Sequence, residues 1–154
     1  MEVKFARNES VASTILRLLE ATSSSIDAAL YRLNNPRLAE ALEVAAQRGV
    51  RVRLLLDGSK YQESHVAQDL RGRAVFPVRL AFGRQGSGSK MHHKFVVLDR
   101  RTVLTGSYNW TLESEDENHE NLIISDDQAL VEAYSGEFEA LWTAAAGDGL
   151  EGSY

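Results

Sequence analysis

The sequence predicts an α/β domain, a mixed β-sheet sandwiched between helices. Three features predict it. The first part of the chain alternates short strand-like runs with segments whose apolar positions recur at helical spacing, a β-α-β-α-β opening. Three more strand-like runs follow in quick succession between residues 94 and 125, and one amphipathic helix comes after them. No internal repeat or low-complexity linker divides the 154 residues, a length that supports one domain with a real core. Residues 1–147 are read as that domain and residues 148–154 as a loose tail.

Taken in order, Val3–Arg7 is a short strand. Asn8 or Ser10 is placed to cap a helix whose apolar positions are Val11, Ile15, Leu18 and Leu19. Ile26–Leu33 reads as a strand after the Thr22–Ser25 turn. Asn34-Asn35-Pro36 opens a second helix, because Asn caps well and Pro suits a first turn; that helix runs through Leu38, Ala41, Leu42 and Ala45 and stops near Gly49. Val50–Asp57 is the next strand, Gln62–Leu70 a third helix and Val78–Phe82 a short strand. Gly86 and Gly88 make Arg84–Lys90 a mobile loop. Lys94–Asp99, Thr102–Tyr108 and Asn121–Ser125 are strands. Asp126 and Asp127 cap a last helix with Leu130, Tyr134, Phe138, Leu141 and Trp142 on one face.

Composition narrows the function classes. With 44% hydrophobic and 25% charged residues the chain is ordinary globular material. The absence of cysteine excludes a disulfide scaffold, a cysteine nucleophile and a thiolate metal site. No apolar run approaches the length needed to span a bilayer, and Met1–Arg7 lacks the apolar segment of a signal peptide, so a cytoplasmic protein is expected, or else the trimmed mature form of an exported one.

The net charge of −5 is unevenly distributed. Residues 1–70 are balanced, residues 71–101 hold eight Lys and Arg against Asp99 alone, and residues 102–154 hold twelve acids with no Lys or Arg. Global acidity argues against coating of nucleic acid, whereas a local basic segment can steer a phosphate into one cleft. Mutual neutralisation of the two segments across the fold is the plainer reading.

The chemistry concentrates in Met91–Asp99 and Gly106–Asn109. Alternate residues of an extended chain share a face, so His92 and Lys94 project together while His93 and Phe95 point the other way. Ser107 and Asn109 likewise share a face, with Tyr108 opposite. A turn near Arg100-Arg101 folds the two segments into a hairpin and gathers an imidazole, an ammonium, a hydroxyl and a carboxamide. Such a set suits phosphoryl transfer: His supplies a nucleophile or general acid near neutral pH, and the others supply charge and donors to non-bridging phosphate oxygens. Glu120, on the next strand, is placed to accept a hydrogen bond from the imidazole and fix its tautomer. Lys94 takes the cation's role, so neither metal nor cofactor is expected.

His92-x-Lys94, then Asp99 after four residues, then Gly106-Ser107-x-Asn109 after six more, resembles the signature of the phospholipase D superfamily at every fixed position. The likeness is nearest to its short single-motif branch, the bacterial endonucleases and their mitochondrial and piRNA-pathway relatives, and the order of elements also fits a phospholipase D-like fold. The resemblance implies that His92 attacks phosphorus to form a phosphohistidine, that Lys94 and Asn109 bind the phosphate, and that Ser107 supports the site. It also makes Glu120 the acidic partner of the histidine and Asp99 structural. Because the family uses two motifs per site and this chain has one, a homodimer is implied, with the two His92 side chains facing across a two-fold axis. One would be the nucleophile; the other would protonate the leaving oxygen and then activate water.

Plainer roles fit the neighbouring residues. His93 reads as packed or structural, His65 and His119 as surface residues, Tyr108 and Trp110 as core or interface residues, Val50–Arg53 as an alternating strand and Glu113–Glu117 as a solvated loop. Arg84, Lys90 and Arg101 are candidate contacts to backbone phosphates. The expected substrate is single-stranded DNA or RNA, and the expected partner is a second copy of the chain rather than a membrane. The alternatives are a phospholipase or phosphatidyltransferase, which needs an apolar rim that the polar loops Lys60–His65 and Arg84–Lys90 do not offer, a scaffold that keeps the fold without the chemistry, and a nuclease domain of a larger protein.

Overall fold

The computed structural model describes residues 1–145; the predicted tail, 148–154, lies outside the described residues. Seven strands form one mixed sheet: β1 (Glu2–Phe5), β2 (Ser25–Leu30), β3 (Arg51–Asp57), β4 (Val78–Ala81), β5 (Lys94–Leu98), β6 (Thr102–Gly106) and β7 (Asn121–Ser125). Their order across the sheet is β1-β7-β6-β5-β2-β3-β4, with β2, β3 and β4 parallel and every other pairing antiparallel. The helices are α1 (Val11–Ala21), α2 (Pro36–Gln47), α3 (Gly58–Tyr61), α4 (His65–Arg73), α5 (Leu112–Asp116) and α6 (Gln128–Ala145).

The central strands feed two cores, as the two-residue period requires, whereas the edge strand β1 is largely exposed. Val96 and Leu98 of β5 join Val11, Ile15, Leu38 and Leu42 of α1 and α2 on one face. Phe95 and Val97 pack on the other face with Val131, Phe138 and Trp142 of α6. β2 lies at the centre of the sheet and is buried along its whole length. The α/β sandwich predicted from the sequence is the observed architecture. Among the described residues no helix is long and apolar enough to cross a membrane.

The caps decide where helices start. Ser10 accepts from Ser13 N at 3.1 Å, so Ser10 rather than Asn8 caps α1. Asn35 accepts from Arg37 N at 3.0 Å, and Pro36 sits in the first turn of α2. At α6 only Asp127 caps, accepting from Leu130 N at 3.0 Å. The helix predicted over Gln62–Leu70 is α4, which Ser64 caps through Ala67 N, so it starts later and runs on to Arg73; the short α3 before it, capped by Asp57 through Lys60 N, was not predicted. The predicted strand Ile26–Leu33 stops at Leu30; Tyr31 N still donates to His93 O at 2.8 Å, and Leu33 makes a lone bridge to Trp110.

Two further expectations are corrected. Residues 113–117 are not a solvated loop, because α5 covers most of them and two of the acids hold the fold together. Glu115 accepts from Tyr108 Oη at 2.9 Å and from Ala12 N at 2.9 Å, so it caps α1 from a distance. Glu113 accepts from Arg32 at 3.2 Å and Asn34 at 3.0 Å. Residues 83–90 form a closed loop, with Gly83 N bonded to Ser89 O at 3.1 Å, Ser89 N to Gly86 O at 3.0 Å and Gln85 N to Ser89 Oγ at 2.9 Å.

Asp99 lies in the β5–β6 turn, in the left-handed region at φ 54°. Its Oδ1 accepts from Ser24 N at 2.7 Å, Ser24 Oγ at 2.8 Å and Ser25 N at 3.0 Å, and Ser23 N donates to Oδ2 at 3.1 Å. Burial alone would raise its pKa; these donors outweigh it and hold the carboxyl below its ordinary value of 3.8. A pKa depressed in the folded state gives stability that is complete above 3.8 and is lost as pH falls through the folded value. Asp99→Ala should cost about 2–3 kcal/mol at neutral pH and flatten the acid limb of stability, measured by urea unfolding between about pH 2 and 5.

Candidate active site

Topology brings the candidate residues to one end of the sheet. β5 starts there and β6 ends there, since Phe95 pairs with Thr105. β7 begins beside them, with Gly106 opposite Leu122. β2 and β3 also end there, β2 just before Tyr31 and β3 in Asp57. Gly106 makes the tight exit from β6 at φ 151°, and a Cβ on it would lie 2.4 Å from Asn121 O, so only glycine fits.

His92 and Lys94 are in contact. The Lys94 ammonium lies 3.2 Å from His92 Nδ1 and donates to His92 O at 2.9 Å. An ammonium has donors only, so Nδ1 is the acceptor and the ring proton of the neutral imidazole is on Nε2. The imidazole rests on Tyr31 with ring centroids 4.4 Å apart. Burial first, then the Lys94 and Lys90 charges, lower the His92 pKa below 6.5, with Asp57 opposing. Burial also lowers the Lys94 pKa, and Glu120 opposes that shift.

Ser107 donates to Glu120 Oε1 at 2.6 Å and accepts from Asn121 N at 3.1 Å, which fastens the end of β6 to β7. The other Glu120 oxygen accepts from Ser114 Oγ at 2.8 Å and Asn118 Nδ2 at 3.1 Å. Within the chain, therefore, Glu120 does not bond the imidazole as expected; serines and an asparagine occupy it. Asn109 N donates to Ser114 Oγ at 3.2 Å, and its side-chain oxygen is buried with no partner among the described residues.

The expected split of faces holds for the neighbours. His93 turns toward α6, its Nε2 2.8 Å from Glu137, with its ring edge-on to Phe95 at 5.3 Å. A cavity of about 390 Å³ lies between His92, His93, Lys94, Tyr134 and Glu137. Among the described residues, no group of three or more His, Asp or Glu is placed to hold a metal ion.

Of the three candidate phosphate contacts, Lys90 lies at this end, its ammonium 6.0 Å from the Tyr31 ring. Arg84 is exposed in the loop just before it. Arg101 does not belong with them. It sits in the β5–β6 turn, at the far end of strands five residues long, roughly 16 Å away at about 3.3 Å per residue. Sequence reasoning missed Tyr31, Lys60 and Asp57. The Lys60 ammonium lies 5.9 Å from the Tyr31 ring. Asp57 is fully buried and binds Lys60 N through one oxygen and Met91 N, at 2.9 Å, through the other. The sequence signal for it was an Asp at a strand end before Gly-Ser, a helix-cap pattern.

Residues 15–142 match the family model described as cardiolipin synthase, PLD-like domain. The chain belongs to the phospholipase D-like family. Mitochondrial cardiolipin hydrolase from Xenopus tropicalis is 38% identical over 137 residues, covering 87% of this chain and 62% of that protein. The Homo sapiens protein of the same name is 36% identical over 134 residues, covering 87% and 52%. The chain thus spans only about half to three-fifths of these curated relatives. Among solved structures, Nuc from Salmonella typhimurium, a phospholipase D family member, superposes with a TM-score of 0.82 at 24% identity, covering 92% of this chain and 93% of that one. NucT from Helicobacter pylori gives 0.79 at 19% identity, covering 92% and 97%. At these identities the two structures establish the phospholipase D-like fold.

Proposed function

We propose that the chain is a metal-independent phosphodiesterase that cuts single-stranded nucleic acid through a phosphohistidine, with two copies completing the site. The observation that carries this reading is the His92–Lys94 contact at the strand ends, beside the Ser107–Glu120 pair and within reach of further ammonium groups. Lys94 is held by the imidazole. An entering phosphodiester offers it a charged oxygen instead and releases His92 as a nucleophile.

The His92 nitrogen then forms a bond to phosphorus as the bond to the leaving oxygen breaks. The leaving oxygen takes a proton from His92 of a second copy. That second imidazole, now neutral, removes a proton from water; the water oxygen attacks phosphorus, and the P–N bond breaks. Lys94 and the Asn109 carboxamide carry the charge on the non-bridging oxygens. Glu120 orients Ser107 and supplies the negative charge facing Lys94.

The test is cleavage of labelled single- and double-stranded DNA and RNA in EDTA, with sedimentation of the same sample. Cleavage that survives EDTA in a dimeric protein, and that falls steeply between about 50 and 200 mM salt, supports the reading. Loss of cleavage in EDTA, or full activity from a monomer, would sink it.

A lipid substrate has one observation of its own. Phe5, Phe82 and Leu112 are 49%, 39% and 47% exposed, although Phe5 and Phe82 lie at opposite edges of the sheet, so they are separate apolar points rather than one patch. Release of headgroup from cardiolipin vesicles, with no cleavage of nucleic acid, would select it. A protein inactive on both substrates would be a scaffold.

A further inference from the structure

Three ammonium groups share one aromatic ring at the candidate site. Lys94, Lys60 and Lys90 lie 5.3, 5.9 and 6.0 Å from the centroid of Tyr31, and the His92 ring leans on the same side chain. Tyr31 is 8% exposed and anchored through its backbone to His93, so it is a fixed platform. Lys60 and Lys90 come from different segments, α3 and the end of the 83–90 loop. One buried carboxylate sets both: Asp57 Oδ2 takes Lys60 N, and Asp57 Oδ1 takes Met91 N, next to Lys90.

The charge count is the informative part. One phosphodiester carries a single negative charge, and Lys94 with the His92 and Asn109 groups already answers it. Lys60 is only partly neutralised, by an exposed Glu63 at 3.4 Å. Lys90 has no carboxylate within ion-pair distance among the described residues, and its charge reaches His92 strongly enough to depress the imidazole pKa. Ammonium groups that outnumber the carboxylates in direct contact with them are a standing electrostatic cost, which a bound anion would relieve.

We propose that Lys60 and Lys90, held on the Tyr31 platform, form a second anion subsite that binds the phosphate next to the scissile one in a nucleic-acid strand. This rests on reading His92 and Lys94 as the phosphodiester site. It gives the enzyme a preference for substrates with two phosphates joined by a short linker over substrates with one.

The test is calorimetric titration of the whole chain, at low salt, with thymidine 3′,5′-bisphosphate and thymidine 3′-monophosphate. The wild type should prefer the bisphosphate by about tenfold or more. Lys60→Gln/Lys90→Gln should reduce that preference to within about twofold. Circular dichroism and melting show that the variant is folded, and Lys60→Arg/Lys90→Arg should keep the preference. Equal binding of the two ligands by the wild type, or a preference that survives the glutamines, overturns the subsite. Tighter binding of glycerol 1,3-bisphosphate than of the nucleoside bisphosphate overturns the nucleic-acid occupant in favour of a bisphosphate lipid headgroup. A chain that shows the preference but cuts no oligonucleotide keeps the subsite and loses the nuclease reading. One that cuts without the preference does the reverse.

Discussion

His92→Ala is expected to lower hydrolysis of a phosphodiester such as bis(p-nitrophenyl) phosphate by about 10⁴-fold or more while leaving the melting temperature within about a degree. The residue is exposed even though its ring leans on Tyr31, and among the described residues its only side-chain hydrogen-bond partner is the Lys94 ammonium, so little folding energy rests on it. The catalytic loss is large because the proposed covalent route disappears with the proposed nucleophile, and the other groups of the site act only through it. Lys94→Met should cost about 10²–10³-fold, since it removes charge stabilisation and keeps the nucleophile. The pH profile checks the protonation state. Attack needs a neutral imidazole, and burial together with Lys94 and Lys90 holds its pKa below 6.5, so the acid limb of kcat/KM should lie below that value. Lys90→Gln removes one of the depressing charges and should move the limb to higher pH. An acid limb at or above 6.5 in the wild type would rule out the neutral-nucleophile assignment.

The parts of this molecule visible in its sequence are those with a local signature. Ser10, Asn35 and Asp127 announce helix starts because capping is satisfied within three residues. Strands such as β5 announce themselves by period, and that period also separated His92 and Lys94 from His93. The signature over residues 92–109 then gathered a site from two strands. What stayed hidden is tertiary. α5 has five residues, too few for a periodicity, and its acids find their use only against α1 and the Arg32–Asn34 turn. Tyr31 and Lys60 come to the site because β2 and β3 end beside β5, a neighbourhood no linear spacing records. Arg101 was misplaced although the hairpin that joins His92 to Ser107 already requires its own turn to lie at the opposite end. Charge density along the chain carried that reading further than the geometry allows.

The largest expected effect on stability belongs to Arg53, which in sequence is only one member of an alternating Val-Arg-Val-Arg run. In the fold its Nε and Nη2 bind the two oxygens of Asp27 at 2.8 and 3.1 Å, a fork across neighbouring positions of β2 and β3. The same guanidinium reaches Glu139 of α6 and lies 4.9 Å from the Phe138 ring and 5.5 Å from Trp142. It therefore ties the sheet to the one long helix covering that face. Asp27 is 3% exposed, and apart from Arg53 its nearest cation is Arg51 at 3.8 Å. Arg53→Ala leaves a buried carboxylate nearly alone and should cost about 3–5 kcal/mol, or roughly 8–15 °C in Tm. Asp27→Asn/Arg53→Met removes both charges and should recover more than half of that loss, because breaking a buried pair costs far more than replacing it. A loss below about 1 kcal/mol in the single variant would mean that α6 is held by its apolar contacts alone. The distinction bears on the site, since α6 also brings Tyr134 and Glu137 to the wall beside His93, and a helix freed from Arg53 would loosen that wall without touching His92.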